Sequence, residues 1–461
     1  MPLRFLLTLT SAIGLVTISA ATPAFAQALP ATEMAAEAQA YPNLQALADR
    51  YVEEGKVANM VIGVAAGDAA PAWMSAGTLG IARPAAADER SIYRIYSMTK
   101  PVIGLVTTML IEEGLIGLDQ PLAEILPAFR AMRVINDPRG GLDDTRAAET
   151  PITIRHLVTH TSGLTYDFNG GTVGRAYRTA GIVPGVRRLG ILPGTGPQPT
   201  SLVELAERVA AQPLVAEPGT TWTYSVGLDI MGAVIEQVTG QPLDAVLQSR
   251  VFAPLGMGDI GFVVDAADNR RLTTNYMIAG KVPLPFPLPV EDGALVPIDA
   301  PPNSEYGSPG PIASGGGGLV STADDYLTFL RAIADRGVVD GRQLLPAAAI
   351  DMMTSNLLPN GVDFDQPPAY GGTGTPQGFG AGGRVIINDD GNAPMGSYGW
   401  GGAAGTVANV IPGERLSLVM MTQYLPANAY PVRLELEAAA RADMPGRVTT
   451  AAAGLRAVNA P

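Results

Sequence analysis

What most constrains the fold is that strand-like sequence stands near both ends of the chain and helical sequence fills the space between. Asn59 to Ala66 and Ala72 to Ile81 are apolar runs around a Gly67-Asp68 turn signal. Gly405 to Ile411 and Leu416 to Met421 flank Pro412-Gly413-Glu414-Arg415, a second hairpin signal. Leu44 to Val52 reads as a short amphipathic helix and Ser91 to Tyr96 as a third short strand. From Ser97 to about Glu113 the pattern is a long, mostly apolar helix that ends near Gly114. Pro101 suits its first turn, where a missing N–H has no intrahelical partner to lose. Ser201 and Glu204 have the spacing of a capping box, ahead of Leu202, Leu205, Ala206 and Val209 on one helical face. Leu228 to Val238 continues as a second apolar helix closed by Gly240, and Ser321-Thr322-Ala323-Asp324 caps a third. This order predicts an α/β unit whose sheet draws on both chain ends.

The first residues stand apart from that unit. Arg4 precedes an apolar run from Phe5 to Ala20, and Ala24-Phe25-Ala26 is the small-x-small pattern read by signal peptidase. We expect a signal peptide over residues 1–26, a mature chain from Gln27, and a periplasmic or secreted protein with no membrane anchor left after cleavage. The 461-residue chain has no cysteine, so an exported form holds no disulfides and rests on its core. Hydrophobic residues make up 47% of it, enough for a large core. The formal charge of −13 disfavours nucleic acid and anionic membrane as partners. Two segments rich in Gly, Pro and Thr, about 167–200 and 281–318, read as long loops of the kind that border enzyme sites.

Several hydrolase chemistries are excluded by what the chain lacks. No serine lies in a Gly-x-Ser-x-Gly elbow. His156 and His160 are the only histidines; their i, i+4 spacing resembles a zinc pair, but Leu157 stands where a metalloprotease places its glutamate. A zinc site would need carboxylates alone to complete it, so a structural role for both is the favoured reading and no metal or organic cofactor is expected.

What remains is Ser97-Met98-Thr99-Lys100. At a helix start this spacing puts hydroxyl and amine on one face, one turn apart. The serine N–H then sits at the positive end of the helix, facing a developing oxyanion. A lysine acts as a base only when partly neutral, which burial or a nearby cation brings about. Lysine is rare here, at positions 56, 100 and 281 alone. By spacing alone, an N-cap serine followed by a surface lysine fits equally well.

The context extends the pattern. Ser97-Met98-Thr99-Lys100, then Tyr224-Ser225-Val226 in Glu217-Pro218-Gly219-Thr220-Thr221-Trp222-Thr223-Tyr224-Ser225-Val226, then Gly399-Trp400-Gly401-Gly402-Ala403, resemble the three ordered motifs of serine β-lactamases, penicillin-binding proteins and family VIII carboxylesterases. The third motif has the esterase form, with Trp400 where β-lactamases carry a lysine. His156-x-x-x-His160-Thr161-Ser162-Gly163-Leu164, Gly315-Gly316-Gly317-Gly318-Leu319-Val320-Ser321-Thr322 and Met421-Thr422-Gln423 extend the likeness over about residues 45 to 425.

The resemblance implies a β-lactamase-like fold, with an antiparallel sheet from both chain ends flanked by helices and a mostly helical lobe. It implies one catalytic unit over 27–461, its α/β lobe approximately 40–115 and 305–445 and its helical lobe approximately 116–304. It implies Ser97 as nucleophile, with Lys100 and Tyr224 as an acid–base pair sharing one proton. The Ser97 and Ala403 N–H groups would form the oxyanion hole. Trp400 would wall the pocket, and Gly401 and Gly402 would let an edge strand approach the substrate closely. Which of Lys100 and Tyr224 removes the serine proton stays open, and the glycines alone would equally fit a bulge. Val226 and Trp400 replace polar groups that would hold a β-lactam, so a short-chain carboxylic ester is the expected substrate. The rival activities are β-lactamase, D-amino acid peptidase, amide hydrolase or acyl transferase on the same scaffold, a catalytically silent penicillin-binding protein, and a zinc hydrolase using His156 and His160.

Overall fold

The computed structural model describes residues 40–185, 194–281, 290–364, 377–388 and 394–445. The expected leader and its cleavage point lie outside these. Among the described residues no helix is long and apolar enough to cross a membrane.

An eight-stranded sheet organises the molecule. Its order is Gly378–Phe379, Arg384–Val385, Tyr398–Gly401, Val407–Ile411, Leu416–Met421, Asn59–Ala66, Ala72–Gly80 and Arg83–Ala86, with every neighbour antiparallel. The two ends of the chain meet at its centre, where Val61 pairs with Met421 and Ala66 with Leu416. Strand Asn59–Ala66 is almost wholly buried because both sheet faces are covered. The period of two sends Met60, Ile62 and Val64 to one face with Leu418 and Met420, beneath the helices Pro42–Glu53 and Val432–Asp443. It sends Val61 and Ala65 to the other with Val419 and Met421, beneath the helix Ala323–Ala334.

The first helix shows how sequence and tertiary structure divide the work. Leu44, Leu47, Ala48 and Tyr51 fall on its buried face. Its own N-cap, Tyr41, offers no side-chain acceptor. Asp443, at the end of the Val432–Asp443 helix, supplies one instead, accepting from the Asn43 and Leu44 N–H groups at 3.1 and 2.9 Å.

Several expectations shift in detail. Ile92–Arg94 is a strand, but it pairs with Val320–Thr322 outside the large sheet. The apolar helix begins at Thr99 rather than Ser97, since Tyr96–Met98 form a 3-10 turn entered through Tyr96 at φ +43°. Ser201 caps the Leu202–Ala210 helix as expected, but the Glu204 carboxylate turns back to the Thr200 N–H at 2.7 Å instead of closing the box on Ser201. The 167–200 segment holds a helix, Gly171–Thr179, and the 281–318 segment holds the strand Leu295–Asp299. The Gly227–Thr239 helix, which follows the second motif directly, ends on Gly240 at φ +66°, the left-handed cap glycine adopts without strain.

Candidate active site

The Thr99–Glu112 helix is buried from Thr99 to Leu110, which its nearly continuous apolar sequence requires. The turn before it is held from three directions. Tyr326 donates its hydroxyl to the Met98 carbonyl at 2.7 Å, and the Ile95 N–H reaches the Leu319 carbonyl at 3.1 Å. The Tyr96 hydroxyl accepts from Asn275 Nδ2 at 2.9 Å. Just upstream, the fully buried Arg94 donates through Nε to Asp299 at 2.7 Å and through Nη1 to the Thr273 carbonyl at 2.7 Å; Nη2 also contacts Asp299. Gln423 closes this network, its Nε2 donating to the Arg94 carbonyl at 3.0 Å. A non-glycine residue at positive φ costs energy and persists only where its surroundings over-determine it. These contacts supply that constraint at Tyr96 and so fix where Ser97 points.

Three of the expected side chains converge. Tyr224 donates its hydroxyl to Ser97 Oγ at 2.6 Å, and Lys100 Nζ lies 3.2 Å from the same oxygen. Lys100 is fully buried, and its Nζ sits 4.6 Å from the centre of the Tyr224 ring. Its second hydrogen bond goes to the Gly316 carbonyl at 2.6 Å. Gly316 is there because nothing larger fits: a Cβ would stand 2.2 Å from Asp229 Oδ2.

Asp229 is the site residue that motif reading missed. Wholly buried, it accepts from the Gly316 N–H at 2.9 Å, Ser314 Oγ at 2.6 Å and the Tyr166 hydroxyl at 3.3 Å. Burial pushes its carboxyl above the usual range, against the opposing pull of the Lys100 charge and these donors. Its position five residues after Tyr224, on the next helix, was the available signal.

The glycine-rich motif lies at the end of the third strand of the sheet, against the Ser97 turn. Arg384–Val385 meets this strand at Gly399 and Tyr398, and among the described residues no strand pairs with Trp400 and Gly401 on that side. A Cβ on Gly402 would stand 2.4 Å from the Ile95 carbonyl, so only glycine lets this segment close on the Ser97 turn. Ala403 is exposed, and neither its N–H nor that of Ser97 takes a hydrogen-bond partner among the described residues. Trp400 is only 8% exposed, packed against Phe364 and Phe379, with its indole N–H 3.5 Å from the Tyr224 hydroxyl. It therefore reaches the site through Tyr224 more than as an open wall.

The two histidines do not share a helix face. The helix carrying His156, Ile154–Val158, stops before His160, which lies at φ +58°. His156 Nδ1 accepts from the Thr153 N–H at 3.2 Å and completes a capping box. His160 Nδ1 accepts from the Ser225 N–H at 3.2 Å, and its ring meets that of Tyr224 edge-on at 4.8 Å. Burial, with the Lys100 charge adding to it, holds His160 well below its ordinary pKa, so it is a neutral wedge behind Tyr224. Among the described residues no three His, Asp or Glu side chains are grouped to hold a metal.

A serine held by a buried lysine and a tyrosine, on a sheet of this topology, defines a serine hydrolase of the β-lactamase fold. The chain belongs to the Beta-lactamase family, whose model it matches over residues 44–442. Protein Rv1367c of Mycobacterium tuberculosis (strain ATCC 25618 / H37Rv) is 33% identical over 347 residues, 73% of this chain and 78% of that one. Esterase EstB of Burkholderia gladioli is 39% identical over 251 residues, 53% of this chain and 57% of that one. Among solved structures, EstCE1, a hydrolase with promiscuous acyltransferase activity, superposes with a TM-score of 0.67 at 24% identity, over 88% of this chain and 99% of that one. That likeness speaks to the fold.

Proposed function

We propose that this protein is an exported carboxylesterase of the family VIII type, cleaving small esters through an acyl-enzyme on Ser97. The observation that carries the reading is the meeting of the Tyr224 hydroxyl and the Lys100 amine on one serine oxygen, at 2.6 and 3.2 Å. In the first step the Tyr224–Lys100 pair takes the Ser97 proton as Oγ bonds to the ester carbonyl carbon. The oxyanion is received by the Ser97 and Ala403 N–H groups, whose lack of partners among the described residues leaves them available. The pair then passes its proton to the departing alcohol as the C–O bond breaks. Water then bonds to the acyl carbonyl carbon as the pair takes its proton, the acyl carbon–Oγ bond breaks, and the pair returns the proton to Ser97 Oγ, releasing the acid.

Asp229 supports the pair at one remove, holding the Gly316 backbone whose carbonyl anchors Lys100 Nζ. Val226 and Trp400, in place of polar residues, favour esters over β-lactams, and the likeness to EstB agrees with that preference. The Phe5–Ala26 segment supports export, and N-terminal sequencing of the protein recovered outside the cytoplasm should begin at Gln27.

The central test is a Ser97→Ala variant on a panel of p-nitrophenyl esters of increasing acyl length, run beside fluorophosphonate labelling. Turnover should fall by about a thousandfold or more and labelling should vanish. Wild-type turnover of a chromogenic cephalosporin exceeding that of every ester would overturn the substrate class. Undiminished esterase activity in the variant would overturn the nucleophile.

A further inference from the structure

Beside the site stands an aromatic side chain that the proposed mechanism does not use. Phe168 is 55% exposed, although apolar, and it is far from loose. It lies in the short 3-10 turn Asp167–Asn169, tied down on both sides. Asn169 Nδ2 donates to the backbone carbonyl of Tyr224 at 2.8 Å and to Thr165 Oγ1 at 3.1 Å. Asp167, mostly buried, pairs with Arg178 at 3.2 Å. The Phe168 ring stacks on Tyr166 with 4.7 Å between centroids and an interplanar angle of 18°, and stands 6.3 Å from the Tyr224 ring. Tyr166 in turn packs 5.1 Å from Tyr224. The turn is therefore anchored to the main chain of the tyrosine whose hydroxyl reaches Ser97, and it holds an apolar ring open to solvent at that point.

An apolar ring left partly in water forgoes the gain of full burial, and a pinned ring has little rotamer freedom to lose when a ligand covers it. Resting on the ester hydrolase reading above, the position of the ring says which part of a substrate covers it. The departing alcohol takes its proton from the Tyr224–Lys100 pair, and because Lys100 is fully buried while Tyr224 is not, the alcohol portion of the ester lies along the Tyr224 side of the scissile bond. Among the described residues, the exposed large apolar side chain in ring contact with Tyr224 is Phe168. We propose that Phe168 forms an alcohol-side subsite that stacks a flat apolar group, so that the preferred substrates are esters of aryl-bearing alcohols. Offset stacking of one further ring contributes about 0.5–1.5 kcal/mol beyond burial, so the preference is expected on the order of tenfold.

The test compares benzyl acetate with n-propyl acetate, which share an acyl group and have leaving alcohols of similar acidity, in wild type, Phe168→Ala and Phe168→Tyr. Wild type should favour benzyl acetate in kcat/KM, and Phe168→Ala should lower the benzyl-to-propyl ratio by about tenfold. Phe168→Tyr should keep the ratio, since stacking needs only the ring. A ratio unmoved by Phe168→Ala overturns the subsite. So does a change that tracks acyl length instead, measured on ethyl acetate and ethyl hexanoate. Wild type hydrolysing none of these esters, while fluorophosphonate still labels Ser97, would instead remove the ester hydrolase reading on which the subsite rests.

Discussion

The two faces of the central sheet are built on different terms. Under the helices Pro42–Glu53 and Val432–Asp443 the interior is Leu44, Leu47, Met60, Ile62, Val64, Leu418, Met420 and Leu436, with a buried ion pair between Arg384 and Glu437 that Arg433 joins. Toward Ser97, the other side buries Lys100, Asp229, His160, Arg94 and Asp299. Buried charges are weak contributors to stability, because desolvation offsets their attraction. The comparison assigns the two faces separate tasks: the apolar layer makes the sheet stable enough to hold a polar, strained interior that stability alone would not select.

The sharpest way to break that division is Tyr224→Phe. It removes the hydroxyl that reaches Ser97 and leaves the ring packing beside His160 and Trp400 in place. We expect kcat/KM on a short ester to fall by about a thousandfold with the melting temperature little changed. A large loss of thermal stability with modest loss of turnover would place Tyr224 in the stabilising class.

The converse substitution is Ile62→Ala, fully buried on the apolar side. Urea denaturation should show a loss of about 2–5 kcal/mol, while kcat/KM measured well below the transition stays at the wild-type value. Turnover falling in step with stability would show that the two faces are not separable.

A finer probe lies at the start of the Ala323–Ala334 helix. Burial pushes the Asp325 carboxyl up to about 7, with Asp259 and Asp324 adding to the effect, while the Asp259 N–H at 2.6 Å pulls the other way. The folded chain then holds this proton at pH values where the unfolded chain, with its carboxyl near 4, has lost it. This group's contribution to stability therefore declines as pH rises from about 4 to about 7 and is level above that. Asp325→Asn, still able to accept the Asp259 N–H, should be more stable relative to wild type at pH 7.5 than at pH 4 in paired denaturation curves. An equal difference at both pH values would mean that Asp325 is ionised in the fold.

What could be read from the sequence was local. The hairpins at each end, the Ser97-x-x-Lys100 turn and the Gly240 cap are all set by neighbours within a few residues. Tyr224 and Ala403 entered through motif resemblance, not through any pattern of their own. Hidden were the residues whose partners lie far along the chain. Arg94 is held by Thr273, Asp299 and Gln423, Asp229 by Gly316, and Asn169 by the Tyr224 carbonyl. The strain at Tyr96 was hidden for the same reason, since the contacts that enforce it come from Asn275, Leu319 and Tyr326. The Gly171–Thr179 helix escaped notice because its buried residues, Val173, Gly174 and Tyr177, make too short and weak an apolar stripe among glycines and polar residues.

The pairing of Val61 with Met421 at the middle of the sheet also governs when this protein can fold. During synthesis the Asn59–Ala66 strand leaves the ribosome long before its central neighbour is translated. Until Leu416–Met421 emerges, Met60, Ile62 and Val64 have neither the adjoining strand nor the Val432–Asp443 helix to cover them. Joining segments so distant along the chain carries a loop-closure cost that slows folding. The nascent chain therefore spends most of its elongation with an unfinished sheet, a stretch in which chaperones rather than its own core must keep those residues from associating with other chains.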